Sequence, residues 1–140
     1  GAGGSEVGHA EIDAARANTP GWTWRVRTPG GTCSPDVWED LGWADVVVTH
    51  GGQNAVAEVA AAGRPAVVVA QERPFGEQRA TAHALRTLGC CVALERWPDA
   101  AEWPGLLARA GETVAWERWT MRDGAARATA AICALAEEVI

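Results

Sequence analysis

Two apolar runs, Asp45-Val46-Val47-Val48-Thr49 and Pro65-Ala66-Val67-Val68-Val69-Ala70, constrain this chain more than any other feature. A strand with one wet face alternates apolar and polar residues, whereas a strand covered on both faces reads as a continuous β-branched run. The two runs therefore predict central strands of a parallel sheet with helices on both sides. The segment between them agrees. Residues 53–62 are rich in helix formers and stop at Gly63-Arg64-Pro65, a helix-ending glycine followed closely by a proline that cannot continue the helix. Residues 77–88 predict a second helix, closed by Gly89, and Cys90-Cys91-Val92-Ala93-Leu94 a further strand. Strands and helices alternating at this spacing are βαβ units, and the fold class is α/β.

The flanks extend the pattern. Residues 6–18 predict a helix closed by Thr19-Pro20-Gly21, and residues 22–28 alternate large and polar side chains with the two-residue period of a half-buried strand, broken by Pro29-Gly30-Gly31. Residues 36–43 could form a short helix, and helices from about Ala100 and Val114 finish the chain, the last broken near Asp123-Gly124. Trp97-Pro98 and Trp103-Pro104 stand at expected helix starts, and Trp116 and Trp119, three apart, are expected in the core. The glycine turn at residues 1–5 opens a helix with no strand before it, so the chain reads as an excised piece or an incomplete half of a doubly wound domain.

With 140 residues and 48% apolar content, one domain with a real core is expected. The net charge of -6, with all 12 basic residues arginine, argues against a nucleic-acid partner bound by a basic field. Local anion sites at helix starts remain open. The cysteines Cys33, Cys90, Cys91 and Cys133 lack C-x-x-C or paired-histidine spacing, so no metal is expected and all four are read as reduced thiols of a cytoplasmic protein. The neighbours Cys90 and Cys91, in one strand, should point to opposite faces. No apolar run approaches the ~20 residues that span a bilayer, and no membrane insertion is expected.

The chemistry concentrates in Val46-Val47-Val48-Thr49-His50-Gly51-Gly52-Gln53-Asn54-Ala55-Val56-Ala57-Glu58. A buried strand delivers the chain to two glycines and a helix begins at once. Glycines permit close approach to the backbone, and the unpaired N–H groups of the first helical turn, with the helix dipole, favour a phosphate. Asn54 and Glu58, four apart, share one helix face. A carboxylate beside a diphosphate would be repelled, so Glu58 is expected further on, accepting hydrogen bonds from sugar hydroxyls. Taken alone, Gly51-Gly52 equally suits a tight turn without ligand, a strand-end histidine is most often a hydrogen-bonded structural group, and a helix glutamate is most often solvated. Together they read as a nucleotide site.

The stretch from Asp45 to about Leu85 resembles the C-terminal, donor-binding domain of GT-B glycosyltransferases, closest to the family-28 group that includes the GlcNAc transferase of peptidoglycan synthesis; antibiotic glycosyltransferases share the His-x-Gly pattern with a glutamate eight positions after the histidine, as His50 and Glu58 stand here. The resemblance implies a Rossmann-like half of a GT-B fold, spanning residues 1–140, that binds a UDP-sugar. It implies diphosphate contacts from His50, Gly51, Gly52 and Asn54, with one contact either missing or replaced by Gln53 where Ala55 stands in place of the relatives' Ser or Thr, and ribose contacts from Glu58. The loop Gln71-Glu72-Arg73-Pro74-Phe75-Gly76-Glu77-Gln78 resembles the family's loop ending in an acidic-Gln or Gln-Gln pair, which gives Glu77 and Gln78 to the transferred sugar, both facing the same cleft. Gly4 and Ser5 resemble a phosphate-contacting glycine-Ser turn, and Pro35, Asp36 and Val37 mark the neighbourhood of the base. The implied activity is sugar transfer by the complete protein, a hexosyltransferase, with the acceptor site and general base in an N-terminal domain outside this chain. No catalytic residue and no cofactor are assigned. An epimerase or hydrolase acting on the same donor, or a non-catalytic nucleotide-sugar-binding subunit, is the alternative.

Overall fold

The computed structural model describes residues 8–26, 37–72 and 74–119. In chain order these form α1 (His9–Ala17), α2 (Val37–Trp43), β1 (Val47–His50), α3 (Gln53–Ala62), β2 (Ala66–Val69), a 3-10 turn (Pro74–Gly76), α4 (Glu77–Leu88), β3 (Val92–Leu94), a second 3-10 turn (Ala100–Glu102) and α5 (Trp103–Glu112). The sheet is parallel in the order β1-β2-β3, with Val48 opposite Val67 and Val68 opposite Ala93.

The continuous apolar run of β2 is explained by what lies on its two sides. All four of its residues are buried, and they alternate between two cores. Ala66 and Val68 pack with Val56 and Val59 of α3 and with Ala82 and Leu85 of α4. Val67 and Val69 pack with Ala15 of α1, Val92 of β3, and Trp103, Leu106 and Leu107 of α5. A parallel sheet flanked by helices on both faces is the Rossmann-like arrangement and matches one half of a GT-B fold.

Helices α3 and α4 occupy the residues the sequence predicts, and for the predicted reason. Each ends at a glycine in the left-handed region, Gly63 at φ 68 and Gly89 at φ 71, whose N–H closes the last turn. Trp103 is fully buried, edge-on to Trp24 at 5.7 Å and 4.9 Å from Trp97. Trp116 and Trp119 are core residues, and the Trp116 indole N–H donates to the Arg64 carbonyl at 2.6 Å. Residues 116–119 are helical; the expected break near Asp123-Gly124 lies outside the described residues.

Three expectations are corrected. Residues 22–26 are not part of the sheet among the described residues; Arg27 and Thr28 lie outside them. Trp24 is held instead by Trp103 and by its indole N–H donating to Thr19 Oγ1 at 2.9 Å, and alternation cannot make a strand where no neighbour offers a ladder. Cys90 and Cys91 do not point to opposite faces. Both enter the core under α3 and α4, because they lie in the bend before β3 and the two-residue period begins only at Val92. Burial raises both thiols, Cys91 to about 12, so they stay protonated. The helix expected from Ala100 starts as a 3-10 turn, with Asp99 and Glu102 capping each other, and becomes α-helical at Trp103. Cys33 and Cys133 lie outside the described residues.

Candidate functional site

The site forms where β1 ends and α3 begins, at the carboxyl edge of the sheet. Both glycines there have a spatial reason. Gly52 has φ -67, open to any residue, but a Cβ on it would sit 2.5 Å from His50 Cε1 and 2.8 Å from Nδ1. A Cβ on Gly51 would press on the first turn of α4, 3.1 Å from the Gln78 carbonyl oxygen and 3.2 Å from its Cβ. The close approach that demands glycine is thus made by the protein itself.

That packing decides which donors remain for a ligand. The Gly51 N–H donates to Gln78 Oε1 at 3.0 Å, and the Gly52 N–H to His50 Nδ1 at 3.0 Å. Neither glycine amide is spare. The first intrahelical bond of α3 runs from the Val56 N–H to the Gly52 carbonyl, and no side chain caps the helix. Among the described residues no group accepts from the N–H of Gln53, Asn54 or Ala55. Those three amides stand at the positive end of the α3 dipole, an arrangement whose electrostatics favour an anion. In the Gly52 bond it is His50 Nδ1 that accepts, which leaves Nε2 as the ring nitrogen not engaged by this turn.

Gln78 is buried and ties the two strand-to-helix connections together. Its Oε1 accepts from Gly51 at 3.0 Å and from the Gln71 N–H at 2.9 Å, and two donors on one atom fix it as the oxygen. The amide nitrogen then lies beside the Gly52 turn, 3.8 Å from where a Cβ on Gly52 would stand. Glu77 is exposed and Gln78 buried: Gln78 turns inward because two backbone donors need its oxygen. Nothing in the sequence signals this brace, which joins residues 27 apart.

Glu58 is buried and lines a groove of about 560 Å³ together with Thr49, His50, Ala55 and Gln71. Gln53 and Asn54 stand exposed at the helix start, outside that lining. The first turn of α3 thus stands at the rim while Glu58, one turn further along, lines the groove. Val37 opens α2 and lines the same groove. Gly4, Ser5, Pro35 and Asp36 lie outside the described residues. Gln71 also lines the groove, which sequence reasoning passed over; its position just after the β2 run, at the carboxyl edge, was the available signal. Among the described residues no cluster of side chains could hold a metal ion, and no helix is long and apolar enough to cross a membrane.

Comparison with known proteins places this geometry in context. Residues 32–100 match the glycosyltransferase family 28 C-terminal domain. Over 89 residues, 64% of the chain, it is 37% identical to a UDP-N-acetylglucosamine--N-acetylmuramyl-(pentapeptide) pyrophosphoryl-undecaprenol N-acetylglucosamine transferase of Klebsiella pneumoniae. It is 36% identical over 64 residues, 46% of the chain, to the protein of the same name from Haemophilus ducreyi. These matches span 24% and 18% of the respective relatives' lengths. No solved structure matches the chain at comparable significance. The chain is therefore similar, over its β1–α4 core and the segments beside it, to the C-terminal domain of family 28 glycosyltransferases.

Proposed function

We propose that this chain is the donor-binding domain of a glycosyltransferase and binds a UDP-sugar at the β1–α3 turn. The observation that carries the reading is the uncapped first turn of α3, with three unaccepted N–H groups next to the His50 ring and the buried Glu58 lining the adjoining groove. The diphosphate takes the N–H groups of Gln53, Asn54 and Ala55 and the His50 Nε2–H, the ribose hydroxyls donate to Glu58, and the sugar meets Glu77 and the Gln78 amide nitrogen. Similarity to proteins named for a UDP-N-acetylglucosamine donor supports the uridine nucleotide. When the sugar leaves, negative charge grows on the diphosphate, and fixed dipoles at a helix N-terminus stabilise it without reorganising. The acceptor and the base that activates it belong to a further, N-terminal domain, and this chain by itself transfers no sugar.

Calorimetry with UDP and with 2′-deoxy-UDP tests the reading. The chain binds UDP and prefers it to the deoxy analogue, because removing the hydroxyl leaves a Glu58 lone pair without its donor. Glu58→Ala weakens UDP by roughly tenfold to a hundredfold, the worth of a hydrogen bond to a charged group, and abolishes the preference. A folded Glu58→Ala protein that still discriminates as the wild type does removes Glu58 from the ribose site; absence of UDP binding by the wild-type chain removes the reading as a whole.

A further inference from the structure

A second groove, of about 800 Å³, opens beside the first at the carboxyl edge of the sheet, and Val69, Gln71 and Trp97 line both. In a chain of net charge -6, Arg79 and Arg86 of α4, Arg96 after β3 and Arg109 of α5 all line it. The carboxylates of Glu11, Glu72, Glu95 and Glu102 match them in number, so what matters is which charges the fold already uses. Glu95 pairs with Arg86 at 3.5 Å, Glu102 accepts from the Asp99 N–H at 2.9 Å, and Glu72 has a contact of its own. Arg79, Arg96 and Arg109 make no hydrogen bond or ion pair among the described residues. Three guanidinium groups from three parts of the fold are thus left against one carboxylate, that of Glu11 in the first turn of α1.

The register of the sheet sets how far these cations lie from the diphosphate position. His50 stands opposite Val69 and Val69 opposite Leu94, and neighbouring strands are ~4.8 Å apart, so the end of β3 is about 10 Å from the end of β1. Gln71 follows β2, halfway across, where Gln78 holds its N–H. Arg79 is the next residue of α4, and Arg96 lies two residues past the end of β3. We propose that the sugar of the nucleotide donor carries a carboxylate, as a uronic acid does, and that Arg79 and Arg96 receive it. The inference rests on the donor-site reading. With the diphosphate at the start of α3 and the sugar against Gln78, a hexose extends from β1 across β2 and turns its far substituent toward the end of β3. A guanidinium fork matches a carboxylate in two parallel hydrogen bonds, and Arg109 adds to the positive field of the groove. All three arginines are exposed, so ordering them costs rotamer freedom and the expected preference is modest.

Calorimetry on the 140-residue chain with UDP, UDP-glucose, UDP-N-acetylglucosamine and UDP-glucuronate tests this. The uronate binds roughly tenfold more tightly than either neutral sugar nucleotide, the worth of a charge-assisted pair at a partly screened site. The Arg79→Ala, Arg96→Ala double variant loses that preference and keeps the order of the neutral ligands. Lysine at both positions keeps part of it, because the charge stays and the fork is lost. Neither arginine makes a bond within the fold, so both variants fold, which circular dichroism checks. Equal affinity for UDP-glucuronate and UDP-glucose overturns the proposal, as does a preference that survives in the double alanine variant or tighter binding of UDP-N-acetylglucosamine. If inorganic phosphate shifts the Arg79 and Arg96 guanidinium NMR signals in protein saturated with UDP-glucose, and the uronate is not preferred, the groove serves a separate anion and the sugar carboxylate is ruled out. UDP binding without a uronate preference leaves the donor-site reading standing, whereas no binding of UDP removes both.

Discussion

The β1–α3 and β2–α4 connections lie side by side at the carboxyl edge of the sheet and solve the same problem in opposite ways. The first takes two residues, Gly51 and Gly52, and leaves the N-terminus of α3 uncapped. The second takes seven, holds Phe75 at φ 66 and Gly76 at φ 63, and sends Gln78 back to fasten both turns. The short connection presents donors and the long one locks them in place. The helix amides stay open while the glycine amides before them are consumed, Gly51 by Gln78 of the neighbouring connection and Gly52 by His50 of its own turn. Strain belongs to the second, where Phe75 is a non-glycine residue in the left-handed region and 98% exposed.

The largest expected effect falls on the lock. Gln78→Ala leaves the Gly51 and Gln71 amides without their acceptor, at about 1–3 kcal/mol for the buried Gly51 donor and less for the part-buried Gln71 donor, so the chain loses roughly 2–4 kcal/mol by urea unfolding. Gln78→Glu keeps an oxygen for both donors and should recover much of that loss while weakening UDP, since it adds negative charge beside the diphosphate. If Gln78→Ala is as stable as the wild type, the two connections are not coupled and the contrast between them fails.

A smaller effect is expected at the presenting turn. Gly52→Ala places a methyl where the His50 ring lies, so the ring must swing away and the Gly52–His50 bond is lost. UDP affinity falls about tenfold, as for one lost hydrogen bond to a charged acceptor, whereas unfolding changes little because the contact is exposed. A drop in stability with intact UDP binding would reverse the roles given to the two turns. The smallest effect tests the strain. Phe75→Gly removes no packing from a side chain that is almost wholly exposed and relieves a left-handed φ, which should stabilise the chain by up to about 1 kcal/mol. Destabilisation would mean that Phe75 holds the loop in a way its exposure does not reveal.

The sequence by itself determined the layers of this protein. Continuous β-branched runs require cover on both faces, glycines at 63 and 89 end helices because only glycine enters the left-handed region cheaply, and a strand running through Gly51-Gly52 into a helix makes an anion-attracting turn. These rest on local physics, and the local residues contain it. What only the tertiary structure decided is pairing across distance. Residues 22–26 have the period of a strand but no strand partner among the described residues, Cys90 and Cys91 share one core because the sheet starts two residues later than the apolar run, and the Gly51 amide belongs to Gln78. A hydrogen bond between residues 27 apart leaves no mark on either neighbourhood. The sequence could say that donors would gather at the turn, but which of them the fold would consume followed from what packed against it.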